Sequence, residues 1–194
     1  MKKLLFTLII AAAAINGAQA QLQQGNVMVG ADLSNIKFDL DAPNTFNFNI
    51  SPKAAWFIQN GTALGGEVDF GLATSKGAGT FITYGVSALG RKYVGNGADV
   101  LIKNSRIFGE ATVGIQGTNN SESGENTNGL GFSFGPGYTY FITPTIGLEA
   151  LLKYNGIVGF GSSAYAHNLN FGLGFQIYLP GARTAQKVKS DATQ

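Results

Sequence analysis

Leu169, Phe171, Leu173, Phe175 and Ile177 alternate along the chain with Asn168, Asn170, Gly172, Gly174 and Gln176. Successive side chains of a strand point to opposite faces, so this segment predicts a strand with an apolar environment on one side and a crowded, hydrated one on the other. The same period of two recurs along the chain and predicts strands at 26–38, 46–58, 63–74, 80–94, 106–115, 129–141, 145–154 and 167–179. Each carries an apolar row on one face, as in Val27, Val29, Ala31 and Leu33, or in Leu64, Val68, Phe70 and Leu72.

The partner of the apolar rows follows from the opposite face. A half-buried strand of a soluble protein carries Lys, Glu and Thr on its wet side, whereas amides and glycines suit a narrow barrel interior with the large residues turned out into lipid. The pattern therefore predicts an all-β fold, an eight-stranded antiparallel up-and-down transmembrane β-barrel. An even strand count returns both ends of the chain to one side of the membrane. The connections agree. Gln59, Asn60, Gly61 and Thr62 form one tight turn, and Ile142, Thr143, Pro144 and Thr145 another. The segments 117–128 and 155–165, on the other side, read as long polar loops. The connection 95–104 is long for the tight-turn side and has no physical explanation in the sequence.

Met1, Lys2 and Lys3 precede an apolar run from Leu4 to Ile15, then Ala18, Gln19 and Ala20. This is the form of a secretory signal peptide, predicting export with cleavage before Gln21. The expected organisation is a signal peptide at 1–20, a barrel domain at 21–180 and a disordered periplasmic tail at 181–194. No cysteine is present, so disulfides, a lipid-modified cysteine and thiolate metal sites are excluded. Removing Lys2 and Lys3 lowers Lys+Arg from 13 to 11, equal to the 11 Asp+Glu, so the exported chain is formally neutral. It has no basic stripe of the kind a nucleic-acid surface requires. Beyond residue 20 no apolar stretch approaches the roughly 20 residues of a transmembrane helix, so entry into a bilayer requires a closed barrel.

Alternation turns most strand charges inward: Asp32, Lys53, Glu67, Asp69, Arg91, Arg106, Glu110, Glu149 and Lys153. An eight-strand interior is just wide enough for its own side chains, so mixed charges there predict a hydrogen-bonded ionic plug. The alternative is a selective channel or proton path, which a ring of one sign would favour. Glu67 and Asp69 share a face, and pairing with Arg91 on the next strand is their expected use rather than acid–base catalysis. Aromatic residues gather at the tight-turn ends of even-numbered strands, and Trp56, Tyr93, Tyr138, Tyr140 and Tyr178 predict an interfacial girdle.

His167 is the only histidine, close in sequence to Ser162 and Ser163. Catalysis needs a converging nucleophile and an orienting carboxylate, which nothing in the sequence supplies, so no catalytic residue is assigned. The G-x-G spacings at Gly129 and Gly131 and at Gly172 and Gly174 precede no helix and do not form a phosphate loop. No cofactor and no metal site is expected.

The segment Pro52, Lys53, Ala54, Ala55, Trp56, Phe57 and Ile58, the run Gly65, Gly66, Glu67 and Val68, and Phe132 through Phe141 (FSFGPGYTYF) carry a family likeness. Together with the eight alternating rows they resemble the small outer-membrane β-barrels of the porin-like superfamily, similar to outer membrane protein X and the barrel domain of outer membrane protein A. The resemblance covers the whole exported chain. It implies a multi-pass barrel in a Gram-negative outer membrane, with lipid and the barrel-insertion machinery as partners. Many such proteins end on an aromatic residue that this machinery recognises. Here a tail follows the last strand, so Phe175 to Leu179 is the expected internal signal. The expected function is a structural or interaction role exercised through the extracellular loops, without enzymatic activity. The alternatives are a narrow passive channel for small solutes or apolar molecules, a lipid-modifying enzyme using His167, and a soluble ligand-carrying barrel, which would need its apolar face inward.

Overall fold

In a computed structural model, which describes residues 22–38, 45–75, 79–94, 104–121, 126–160 and 165–181, the chain forms eight strands. These are β1 (Val27–Phe38), β2 (Thr45–Gln59), β3 (Thr62–Ser75), β4 (Thr80–Val94), β5 (Ser105–Asn120), β6 (Asn126–Thr143), β7 (Ile146–Gly159) and β8 (Tyr165–Leu179). Each strand pairs antiparallel with the next, and β1 pairs with β8, closing the barrel. Closure satisfies the backbone without an open sheet, as lipid requires. The predicted signal peptide lies outside the described residues, as do 182–194 and, except for Asn104, the connection 95–104.

The outward rows are apolar and exposed. Leu169, Phe171, Leu173, Phe175 and Ile177 all face out, and Val86, Ile115 and Phe134 do so on other strands. A molecule with so continuous an outer apolar surface has its favourable solvent in lipid, and the strand pattern is that of a transmembrane barrel.

One expectation is revised here. The segments 117–128 and 155–165 are not wholly loops, because β5 runs on to Asn120, β6 starts at Asn126 and β7 reaches Gly159. Polarity marks where a strand leaves lipid, but a backbone ladder persists in water, and Asn119 still pairs with Asn126. One strand is also irregular. In β1, Asn35 and Ile36 lie between the pairs Ser34–Asn49 and Lys37–Asn47, a bulge, and Asn35 has φ 53°. Asparagine is among the few L residues that tolerate this left-handed conformation. Among the described residues the β1–β8 ladder ends at Ser34–Gly172, immediately before that bulge.

Candidate functional site: the filled lumen

Alternation carries the inward side chains into three levels above the chain-terminus end. The lowest is an aromatic floor. Met28, Phe57, Tyr93, Phe108, Phe141 and Tyr178 are all buried. Ring centroids lie 6.1 Å apart for Phe57 and Tyr93, 5.4 Å for Tyr93 and Phe108, and 5.2 Å for Phe141 and Tyr178. Gly137 makes room for this layer, since a Cβ there would stand 2.2 Å from the Phe108 ring. Below the floor, Leu22 is buried and its carbonyl accepts from the Gly61 amide at 2.7 Å, so the first described residues pack against the turn between β2 and β3.

Tyr93 and Tyr178 therefore do not belong to the interfacial girdle. They are 7% and 2% exposed, whereas Trp56, Tyr138 and Tyr140 are 57%, 38% and 44% exposed on the outer face. The cause is parity. Tyr93 stands two residues beyond Arg91, and Tyr178 two beyond Gln176, so each shares its neighbour's inward face. Their phenols find partners there. The two hydroxyls are 2.6 Å apart, Tyr178 donates to Glu149 Oε1 at 2.9 Å, and Arg91 Nη1 donates to the Tyr93 oxygen at 3.0 Å.

The second level is ionic. Arg91 donates through Nη2 to Glu110 Oε2 at 2.5 Å and through Nη1 to Glu149 Oε1 and Oε2 at 2.8 Å each, and its guanidinium carbon stands 4.0 Å from the centre of the Phe108 ring. Thr139 adds a hydroxyl donor to Glu149 at 2.9 Å. The Lys53 ammonium lies among three carboxylates, 2.5 Å from Asp32, 2.8 Å from Glu67 and 2.8 Å from Glu110. Lys153 reaches Glu67 at 2.8 Å and Glu110 at 3.0 Å. Gln176 donates to Asp32 at 3.1 Å. Carboxylate oxygens of Asp32, Glu67 and Glu110 converge within 4.8 Å of one another, spacing that suits a cation, and the Lys53 ammonium fills the place. Such closely paired charges repay part of their desolvation only because nearly every lone pair and proton is used.

Seven of the nine inward charges thus join one network: Asp32, Lys53, Glu67, Arg91, Glu110, Glu149 and Lys153. Two do not. Arg106 is half-buried at the lower end and donates to the Ser105 carbonyl at 2.7 Å. Asp69 accepts from the Ser51 hydroxyl at 2.7 Å, above the network. The expected pairing of Glu67 and Asp69 with Arg91 is also corrected. Arg91 stands opposite Ala63 on β3, four residues from Glu67, and opposite Glu110 on β5. Register between strands, invisible in the sequence, chose the partner.

The third level is a small polar cavity of about 50 Å³ facing the loop end. Asp32, Glu67, Asp69 and Lys153 line it, with Ser34, Ser51, Asn170 and Gly172 among their neighbours. His167 is elsewhere, exposed on the outer face, with its ring 5.9 Å from that of Tyr154. Ser162 and Ser163 lie outside the described residues. Sequence reasoning placed Gln176 inside but missed Met28 and Thr139 as parts of the packed interior, although two-residue spacing from Gly30 and Phe141 carries that signal.

No family model matches the chain, and no curated protein matches its sequence. Solved structures do match. Neisserial surface protein A is 18% identical with a TM-score of 0.52, the match covering 78% of this chain and 95% of that one. The N-terminal β-barrel domain of Pseudomonas aeruginosa OprF is 16% identical with a TM-score of 0.50, covering 80% and 98%. The outer membrane protein OprG of the same organism is 11% identical with a TM-score of 0.50, covering 83% and 99%. The chain has the fold of these small outer-membrane barrels.

Proposed function

We propose that this protein is an integral outer-membrane barrel, closed to ion flow, that acts without enzymatic chemistry through its loop end. The observation that carries this reading is the filled lumen. An aromatic floor and a seven-member ionic network block the axis at successive levels, and an eight-strand wall leaves no bypass around side chains of that size. Mixed signs in contact neutralise one another rather than present the single-sign ring that selects ions. The work is left to the outer end, where the β5–β6 hairpin continues past the last β6–β7 pair, Gly129–Gly159, with a polar sequence suited to an extracellular partner.

Residues 1–20 serve as the export signal, Phe175 to Leu179 as the insertion signal, and 181–194 as a periplasmic tail. Fold and neighbours support the location, because the solved barrels that match are outer-membrane proteins. Two measurements test the proposal. In detergent the unheated protein should migrate differently from the boiled one, and it should fractionate with the outer membrane. Refolded protein in planar bilayers should give no conductance steps. Reproducible single-channel steps would favour the passive-channel reading, and recovery in the soluble fraction would end both.

A further inference from the structure

The outer wall of β3 to β6 carries a groove. Leu64, Gly90, Ala111 and Phe134 stand side by side on it, and the next outward row toward the tight-turn end is Thr62, Lys92, Gly109 and Pro136. Most outward positions bear a large apolar side chain, but Gly90, Gly109 and Ala111 bear a methyl or nothing. Leu64 on one side and Phe134 and Pro136 on the other therefore rise above a low floor. The groove measures about 770 Å³, the scale of one bound small molecule. Its tight-turn end is polar, lined by Thr62 and by Lys92, which is exposed.

Strand register fixes the depth of that lysine. Following paired residues around the wall from Val27 on β1 leads through Gly90 on β4 to Leu169 on β8, ten residues before Leu179, the residue that pairs with Val27. A row of paired residues thus climbs toward the loop end by about 3 Å at each successive strand, while two residues along a strand span about 5 Å of depth. The row of Trp56 meets β4 at Gly90, two residues above Lys92, and the row of Tyr138 meets it at Val94, two below. The offsets cancel, so Trp56, Lys92 and Tyr138 all stand exposed at one depth. Amphipathic rings mark that depth as the membrane interface, which puts the Lys92 ammonium at phosphate level and the glycine floor among acyl chains. All five carboxylates among the described residues face the lumen, so none of them meets Lys92 on the outer wall.

We infer that this groove binds one anionic phospholipid of the leaflet at the tight-turn end, with its phosphate on Lys92 and Thr62 and one acyl chain along Gly109, Gly90 and Ala111. The ammonium supplies charge-assisted hydrogen bonds to the phosphate, and the Thr62 hydroxyl adds a donor beside it. A zwitterionic lipid fits less well, because its own ammonium is repelled by Lys92. A second copy of the chain is the competing occupant. Two barrels related by an axis along the membrane normal would bring Lys92 toward Lys92 at the same depth, so charge favours the lipid. The site rests on the reading of the chain as an outer-membrane barrel and is independent of whether the lumen conducts.

The test uses the full folded barrel in phosphatidylcholine nanodiscs with increasing fractions of phosphatidylglycerol, followed by amide NMR. Gly90, Lys92, Gly109 and Ala111 should shift together and saturate, while phosphatidylethanolamine in the same fractions should bind several times more weakly. Lys92→Gln removes the charge and should weaken phosphatidylglycerol binding about tenfold, and Lys92→Arg should keep it. Gly109→Leu fills the floor while leaving Lys92 in place, and a Cβ at this position meets nothing within 4 Å, so the variant has room to fold. It should also weaken binding about tenfold. Shifts that never saturate, equal binding of phosphatidylethanolamine, or undiminished binding by Gly109→Leu would each overturn the site. Shifts that follow the number of barrels per disc instead of the phosphatidylglycerol fraction would overturn it in favour of a second copy. Retention of the heat-dependent gel shift by each variant separates these results from a failure of the barrel itself.

Discussion

At the scale of single residues, the interior is held by groups that each have more than one partner. Tyr178 bonds to Tyr93 and to Glu149, so Tyr178→Phe should cost about 1–3 kcal/mol in urea unfolding from vesicles, while Tyr140→Phe on the outer face should stay within about 0.5 kcal/mol. Equal effects would return Tyr178 to the girdle. Lys53→Met removes the only ammonium among Asp32, Glu67 and Glu110 that is fully buried with them, and the uncompensated charge should cost about 3–5 kcal/mol. In Lys53→Ala the vacated centre of three carboxylates should take calcium, so millimolar calcium should raise the unfolding midpoint of the variant and leave the native protein unchanged. Gly137→Ala drives a methyl into the Phe108 ring and should cost about 1–3 kcal/mol, read in the same unfolding experiment.

At the scale of elements, alternation located all eight strands because lipid outside and a packed lumen inside impose opposite demands on neighbouring residues. It misjudged their outer ends, where both faces meet water and the demand disappears, as at Gly117 to Asn120. Prolines did not interrupt the pattern. Pro52 and Pro136 sit within β2 and β6, and ladder pairing resumes on either side of each. The bulge at Asn35 is a different kind of feature, a local conformation that one asparagine permits. Asn35→Val should destabilise the barrel by about 1–3 kcal/mol in vesicle unfolding, whereas Asn35→Gly should be nearly neutral. Equal stabilities would mean that the left-handed conformation is not held in the native barrel.

At the scale of the whole molecule, closure turns eight amphipathic strands into a wall with a filled centre. If the floor seals it, truncating Phe57, Phe108 and Tyr178 together to Ala should produce measurable conductance in a protein that otherwise shows none. A silent triple variant would assign the block to the ionic level alone. The sequence by itself determined which side chains face lipid and which face the lumen, because that choice depends only on the period of two along each strand. It even contained the inward placement of Tyr93 and Tyr178, through their spacing from Arg91 and Gln176, although clustering of aromatics at strand ends suggested otherwise. Only the tertiary structure decided which inward charges meet. Arg91 found Glu110 and Glu149 instead of Glu67, and Arg106 was left out, because stagger between strands and distance across the lumen set those contacts. It alone also decided that the β1–β8 ladder stops at Ser34–Gly172. Periodicity is a property of one strand, whereas register and closure belong to eight strands at once.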